Sequence, residues 1–189
     1  MSIIKKTAQN NQDSMKQLIA EELLDIVDHN NKVIGQARRQ DIHALGLRHR
    51  SAHVLIYNQQ GDLFLQKRSK HKDDFPGYWD SSAAGHVDAG ESYDQCIVRE
   101  TKEELGVELT PPPIMQFLLT ARPENGMEFC QVYTATHNGP FELDHDEVET
   151  GDWFSPEQIT NWLASGGEGM TPSIKIMILK LKLNFKNDS

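Results

Sequence analysis

Cysteine is scarce. Cys96 and Cys130 are the only two in 189 residues, too few for a disulfide framework. No stretch reaches 18 consecutive apolar residues, and the N-terminus carries no signal-peptide pattern. Together these absences lead us to expect a reduced, cytoplasmic setting without a membrane-spanning helix. Positive charge is short as well: 19 Lys and Arg against 28 Asp and Glu give a net charge of −9. That balance leaves no basic footprint for nucleic acid and nothing to favour an anionic membrane surface. An acidic chain that acts on an anionic substrate must place its few cations locally or borrow charge from a metal. Repeats and low-complexity segments are missing too. What remains is a composition of 38% hydrophobic and 25% charged residues, ordinary for a globular protein, and a length that suits one domain with a real core.

Residues 1–20 are polar, poor in aromatics and without clear period, and are expected to form a mobile arm ahead of a single domain over 21–189. LLDIVD and KVIGQARR flank His29-Asn30-Asn31 and read as a β-hairpin, followed by a short helix at RQDIHALG. HVLIY and LFLQ form a second hairpin across NQQGD, with Gly61 in the turn. A basic loop, KRSKHK, leads to Phe75-Pro76-Gly77-Tyr78-Trp79 and then to a strand over 80–86. Strands are expected over 114–121, 128–136 and 148–154. A helix capped by Ser155 with Pro156 at its first position comes next, and an amphipathic helix from Pro172 ends the chain. Strands on both sides of one central helix, with helices at the end, define an α+β domain layered α/β/α.

The stretch from Gly85 to Val107 organises the rest. It reads as a glycine-rich turn and a helix, with Ser92 as N-cap and Gln95 completing a capping box. Tyr93, Ile97, Thr101 and Leu105 recur every four residues as a docking stripe, and Gly106 takes the left-handed closing position. Glu100, Glu103 and Glu104 fall within roughly a 100° arc of one face. Like charges at this spacing cost a bare helix roughly a few tenths of a kcal/mol per pair. A solvated acidic face tolerates that, but a cation among the acids would turn the cost into a gain. Oxygen ligands in this number suit Mg²⁺ or Mn²⁺.

The wider pattern decides between the two. Gly85, then Glu91 after five residues, then Arg99-Glu100-Thr101-Lys102-Glu103-Glu104-Leu105-Gly106-Val107 after seven more, resembles the Nudix box G-x5-E-x7-R-E-U-x-E-E-x-G-U. Thr101 stands where a bulky aliphatic (U) is usual, a departure that touches packing rather than chemistry. The resemblance implies the Nudix fold, a mixed sheet between helices, and hydrolysis of a nucleoside diphosphate linked to another moiety. It implies Glu100, Glu103 and Glu104 as ligands of Mg²⁺ or Mn²⁺, joined by a main-chain carbonyl at Ala84 or Gly85. Arg99 would pair with Glu91 and hold turn and helix in register; Glu91 or Glu103 is a candidate for activating water. Glu147, in the acidic run DHDEVE, is a further candidate base or metal ligand, or else part of a solvated loop.

Residues 22–160 also resemble type 1 isopentenyl-diphosphate isomerase and its hydrolase relatives. That likeness places Arg68 and Lys72, ahead of Pro76-Gly77, on a substrate diphosphate. His49 and His86 match metal-binding histidines of the isomerases, His43 matches one residue out of register, and Glu128 matches their catalytic glutamate. Ala84 stands where the isomerase needs its cysteine, and Gly126 where it has a metal-binding glutamate. Alanine neither gives nor takes a proton, so the expectation is a hydrolase acting on a small-molecule diphosphate. The alternatives are an isomerase-like enzyme and a nucleotide-sensing module without turnover. Phe75, Tyr78 and Trp79 are candidates for stacking on a base, or for the core.

Overall fold

The computed structural model describes residues 22–187; the arm expected over 1–20 lies outside them. The first hairpin forms as the sequence indicates. β1 (Leu23–Val27) pairs antiparallel with β2 (Val33–Arg38). Asp28 shapes the turn by accepting the N–H groups of Asn30 (2.8 Å) and Lys32 (2.9 Å) on its carboxylate. Asn31 takes a φ of 62°, a conformation asparagine adopts more readily than bulkier residues. The short helix α1 (Arg39–Leu45) follows and stops on Gly46 at φ 60°.

β3 (His49–Tyr57) is the spine of a second, seven-stranded sheet. It pairs antiparallel with β4 (Leu63–Arg68) and parallel with β8 (Glu128–Thr136), whose outer neighbour is β7 (Ile114–Leu119). β9 (Val148–Phe154) lines the other side of β4. Most of β3 is buried, as expected for a strand covered on both faces.

The strand expected over 80–86 divides into two, and the reason is geometric. β3 and β4 are paired only beside their turn, at Ile56–Phe64 and Tyr57–Leu63, and then diverge. The chain fills the wedge: β5 (Trp79–Asp80) pairs with β4, and β6 (Ala83–His86) pairs with β3. Ser82 bridges the fork, its hydroxyl donating to Phe64 O (2.6 Å) and accepting from Ile56 N–H (2.8 Å). This split directs β6 into the turn before α2 (Tyr93–Leu105).

Helices cover both faces. Ala52, Val54, Ile56, Phe64 and Val87 pack with Ile97 and Leu105 of α2. Leu55, Leu65, Leu119 and Val132 pack on the other side against Ile159 of α3 (Pro156–Ala164) and Ile174, Met177 and Ile178 of α4 (Pro172–Asn187). The expected α/β/α layering with a mixed sheet is therefore the observed one. No described helix is long and apolar enough to cross a membrane.

Candidate active site

The helix that carries the acids is fixed at both ends. Ser92 Oγ accepts Gln95 N–H (3.2 Å) while Gln95 Oε1 accepts Ser92 N–H (3.0 Å), and Gly106 closes the helix at φ 69°. Thr101 is buried in the docking stripe, where its hydroxyl donates to Ile97 O (2.6 Å). The hydroxyl is thus satisfied within the helix, and threonine serves in the aliphatic position.

Gly85 and Glu100 explain each other. A Cβ built on Gly85 would overlap the Glu100 carboxylate, so the acid lies directly against bare main chain at the end of β6. Arg99 gathers the surrounding acids. It grips Glu91 with two bonds, Nε to Oε1 (3.0 Å) and Nη2 to Oε2 (2.9 Å). Its Nη1 reaches Glu100 (2.6 Å) and Glu103 (3.1 Å), and Nη2 also donates to His86 O (3.1 Å). Glu91 further accepts Asp88 N–H (3.1 Å), so both of its oxygens are engaged. Such forked contacts orient a carboxylate as well as neutralise it.

Glu104 is 4% exposed and accepts from Ala84 N–H (2.9 Å) and Gln66 Nε2 (3.0 Å) on one oxygen. Burial raises its carboxyl pKa despite the nearby Lys72. Burial, reinforced by the charge of Glu104, pushes Glu100 up to about 8. Glu103 stands apart, with 58% of its side chain exposed. Two buried acids held together with too little positive charge form a donor set that a hard divalent cation fits.

The basic loop between β4 and β5 faces these acids. Lys72 forms an ion pair with Glu147, and the charge of Glu104 acts on it; burial lowers its pKa. Arg68 Nη1 lies 3.4 Å from Asp80 Oδ2, while its Nε donates to Asp74 O (3.0 Å). The loop before β9 is tied in by Ser69 N–H donating to Glu147 O (3.0 Å). Arg68, Lys72 and Glu147 therefore gather beside Glu100 and Glu104. Gln66 and Asp80 belong to the same group and were not anticipated. A polar side chain on the inward face of β4, in phase with Phe64, is the one sequence signal for Gln66.

His43, His49 and His86 converge, each offering a ring nitrogen within 4.8 Å of the others. His43 Nε2 lies 3.3 Å from His86 Nε2. Glu128 Oε1 lies 3.7 Å from His49 Nε2 and 3.6 Å from His86 Nε2, within ionic reach but too far for good hydrogen bonds. His49 Nδ1–H donates to Leu47 O (3.0 Å), while its buried Nε2 has no hydrogen-bond partner among the described residues. Burial works against a charge on His86, but Glu128 and Glu22 outweigh it and hold the pKa at about 9. Burial and the charge of His86 bring His43 down to about 4. His43 sits on α1, and helical winding brings it in despite its one-residue offset from the isomerase spacing. At Gly126 no side chain crowds Glu128; a Cβ there would come within 3.3 Å of its carboxylate.

A glycine-gated turn, a helix bearing three aligned glutamates, and a mixed sheet sandwiched by helices define a Nudix hydrolase, and the chain belongs to that family: the NUDIX domain profile matches residues 47–174. The chain is 34% identical to the Nudix hydrolase YfcD of Escherichia coli K12 over 175 residues, covering 92% of this chain and 94% of that one. A Nudix hydrolase of Yersinia pestis is 36% identical over 172 residues, with 88% and 90% covered. Among solved structures, DR0079 from Deinococcus radiodurans superposes with a TM-score of 0.72 at 29% identity, over 84% of this chain and 98% of that one. The NUDIX domain of Shewanella oneidensis NrtR, solved with ADP ribose, shares the fold with a TM-score of 0.57 at 16% identity, over 79% and 99%.

Proposed function

We propose that this Nudix hydrolase cleaves the pyrophosphate linkage of a nucleoside diphosphate joined to another moiety, and that it depends on Mg²⁺ or Mn²⁺. The observation that carries this reading is the buried pair Glu100 and Glu104, raised by burial and facing Arg68 and Lys72. Glu100, Glu103, Glu104 and the Gly85 carbonyl would hold the metal, which supplies charge to the phosphate oxygens and acidifies a bound water. Arg99 orients Glu100 and Glu103. Glu91, with both oxygens engaged, is a positioning residue rather than the base. Glu103, mostly exposed and held only by Arg99 among the described contacts, would serve as the base where it does not itself ligate the metal. Arg68 and Lys72 hold the diphosphate; Lys72 must exchange Glu147 for substrate, which leaves Glu147 beside the reacting centre as a second acceptor.

A second cation site is favoured by the orphaned, buried Nε2 of His49. Nitrogen ligands from His43, His49 and His86 with the Glu128 carboxylate suit Zn²⁺ or Mn²⁺ rather than Mg²⁺. This set matches the isomerase likeness, but isomerisation itself is disfavoured by Ala84, whose side chain has no proton to move.

The test is product release from dinucleoside, sugar-nucleotide and isoprenoid diphosphates with Mg²⁺, Mn²⁺ or EDTA. Metal-dependent cleavage of a nucleotide substrate is the expected result. No cleavage anywhere, with isopentenyl diphosphate isomerised or a nucleotide bound intact, would overturn it.

A further inference from the structure

Phe75 and Tyr78 lie at the tip of the loop that carries Arg68 and Lys72, and both stay in solvent, 44% and 40% exposed. Trp79, next along the chain, behaves differently: it packs on the core, edge to face with Phe154 (5.0 Å) and Trp162 (6.2 Å). The exposed pair is built, not loose. Phe75-Pro76-Gly77-Tyr78 is a tight turn, with Tyr78 N–H donating to Phe75 O (3.2 Å) and Gly77 at φ 74°, the arrangement of a type II turn. The turn sets the two rings 5.6 Å apart and 61° to each other. Phe75 itself has a φ of 49°, a left-handed conformation that costs a bulky L-residue backbone strain.

Arg68 holds this turn from both sides. Arg68 N–H donates to Tyr78 O (2.8 Å), Gly77 N–H donates to Arg68 O (3.0 Å), and Arg68 Nε donates to Asp74 O (3.0 Å). Asp74 in turn lies 3.7 Å from His43. The rings are thus fixed relative to the cation proposed to hold the diphosphate. Phe75 is three residues from Lys72, so its Cα lies at most about 11 Å away, within the span of a nucleoside diphosphate.

We infer that Phe75 and Tyr78 form an aromatic platform for the nucleobase of the substrate whose diphosphate occupies Arg68 and Lys72, one ring stacking on the base and the other, set across it, meeting its edge. The inference rests on the diphosphate reading above and deepens it by naming the class of group at the far end. A flat base suits a half-exposed pair of rings, because stacking needs one face and no enclosure. An isoprenyl tail would remain largely in water on the same surface. Tyr78 also brings a hydroxyl with no hydrogen bond among the described residues, which a base edge or ribose can use and a hydrocarbon cannot.

Direct binding separates this inference from turnover. Isothermal titration with ADP, methyl diphosphate and isopentenyl diphosphate would be run on the full chain and on its Phe75→Leu, Tyr78→Ala and Phe75→Trp variants. ADP should bind the unmodified chain about 10-fold or more tighter than methyl diphosphate, within the range of base–aromatic stacking. Phe75→Leu and Tyr78→Ala should erase that gap and leave methyl diphosphate unchanged, which also shows the loop intact; Phe75→Trp should keep it. Equal binding of ADP and methyl diphosphate by the unmodified chain, or a gap that survives both truncations, overturns the platform alone. A gap shown by isopentenyl diphosphate instead assigns the rings to a hydrocarbon and overturns it as well. Failure to bind any diphosphate overturns the diphosphate reading and the platform with it.

Discussion

Glu100 rests against the bare main chain of Gly85, leaving no room for even a methyl group between them. The contact joins β6 to α2 at the point where the proposed metal ligands converge, so its consequence is chemical rather than conformational: Gly85 does not adopt a left-handed φ. Gly85→Ala should fold and displace the carboxylate. A shift on the order of 1 Å in a reacting constellation costs roughly 100-fold, and that is the expected loss in kcat, with a circular dichroism spectrum like that of the parent. An unchanged kcat would mean that Glu100 is not a metal ligand.

Lys72 gives the alkaline limit. Burial lowers its pKa, and anion binding requires the protonated form. Affinity for substrate should therefore fall as the pH rises through that lowered value, earlier than an ordinary lysine near about 10.4 would allow. Lys72→Arg should move the rise in KM to higher pH, and Lys72→Ala should raise KM at every pH with a smaller change in kcat. The measurement is KM against pH for the three forms; identical profiles would remove Lys72 from the diphosphate.

The His86 cluster makes stability pH-dependent in the metal-free protein. Its pKa, about 9 in the fold against about 6.5 in a free chain, means the folded state binds the proton more tightly. The stabilisation is present in full below about 6.5 and lost as pH rises through 9, on the order of 3 kcal/mol across that window. Thermal unfolding in EDTA should show Tm falling between those limits, and His86→Gln should flatten the fall.

What the sequence reveals and what it hides follow from the range of the forces involved. The helix of Glu100, Glu103 and Glu104 was legible because capping, docking stripe and the spacing of the acids all lie within one short segment. The hairpins around Asn31 and Gly61 were legible for the same reason. The break at Ser81 and Ser82 was not, because it depends on β3 and β4 diverging, a property of three separate segments. Gln66 on Glu104 and Lys72 on Glu147 join residues 38 and 75 positions apart, respectively, and no local pattern announces them. His43 stands one residue out of register in the sequence; the turn of α1 supplies what linear spacing does not.

If, as proposed, the Nudix box glutamates of this chain hold a divalent cation for phosphoanhydride cleavage, Glu104→Gln should disable the enzyme without unfolding it. Glutamine keeps the shape and can still accept from Ala84 N–H, while removing a buried charge whose pKa burial raises. With EDTA the variant should therefore unfold at the same temperature as the parent or higher. With Mg²⁺ it should lose more activity on a cleaved nucleoside diphosphate substrate than the roughly 100-fold that loss of an outer ligand partner costs. Near-normal, metal-dependent turnover by Glu104→Gln would mean that Glu104 holds no catalytic cation.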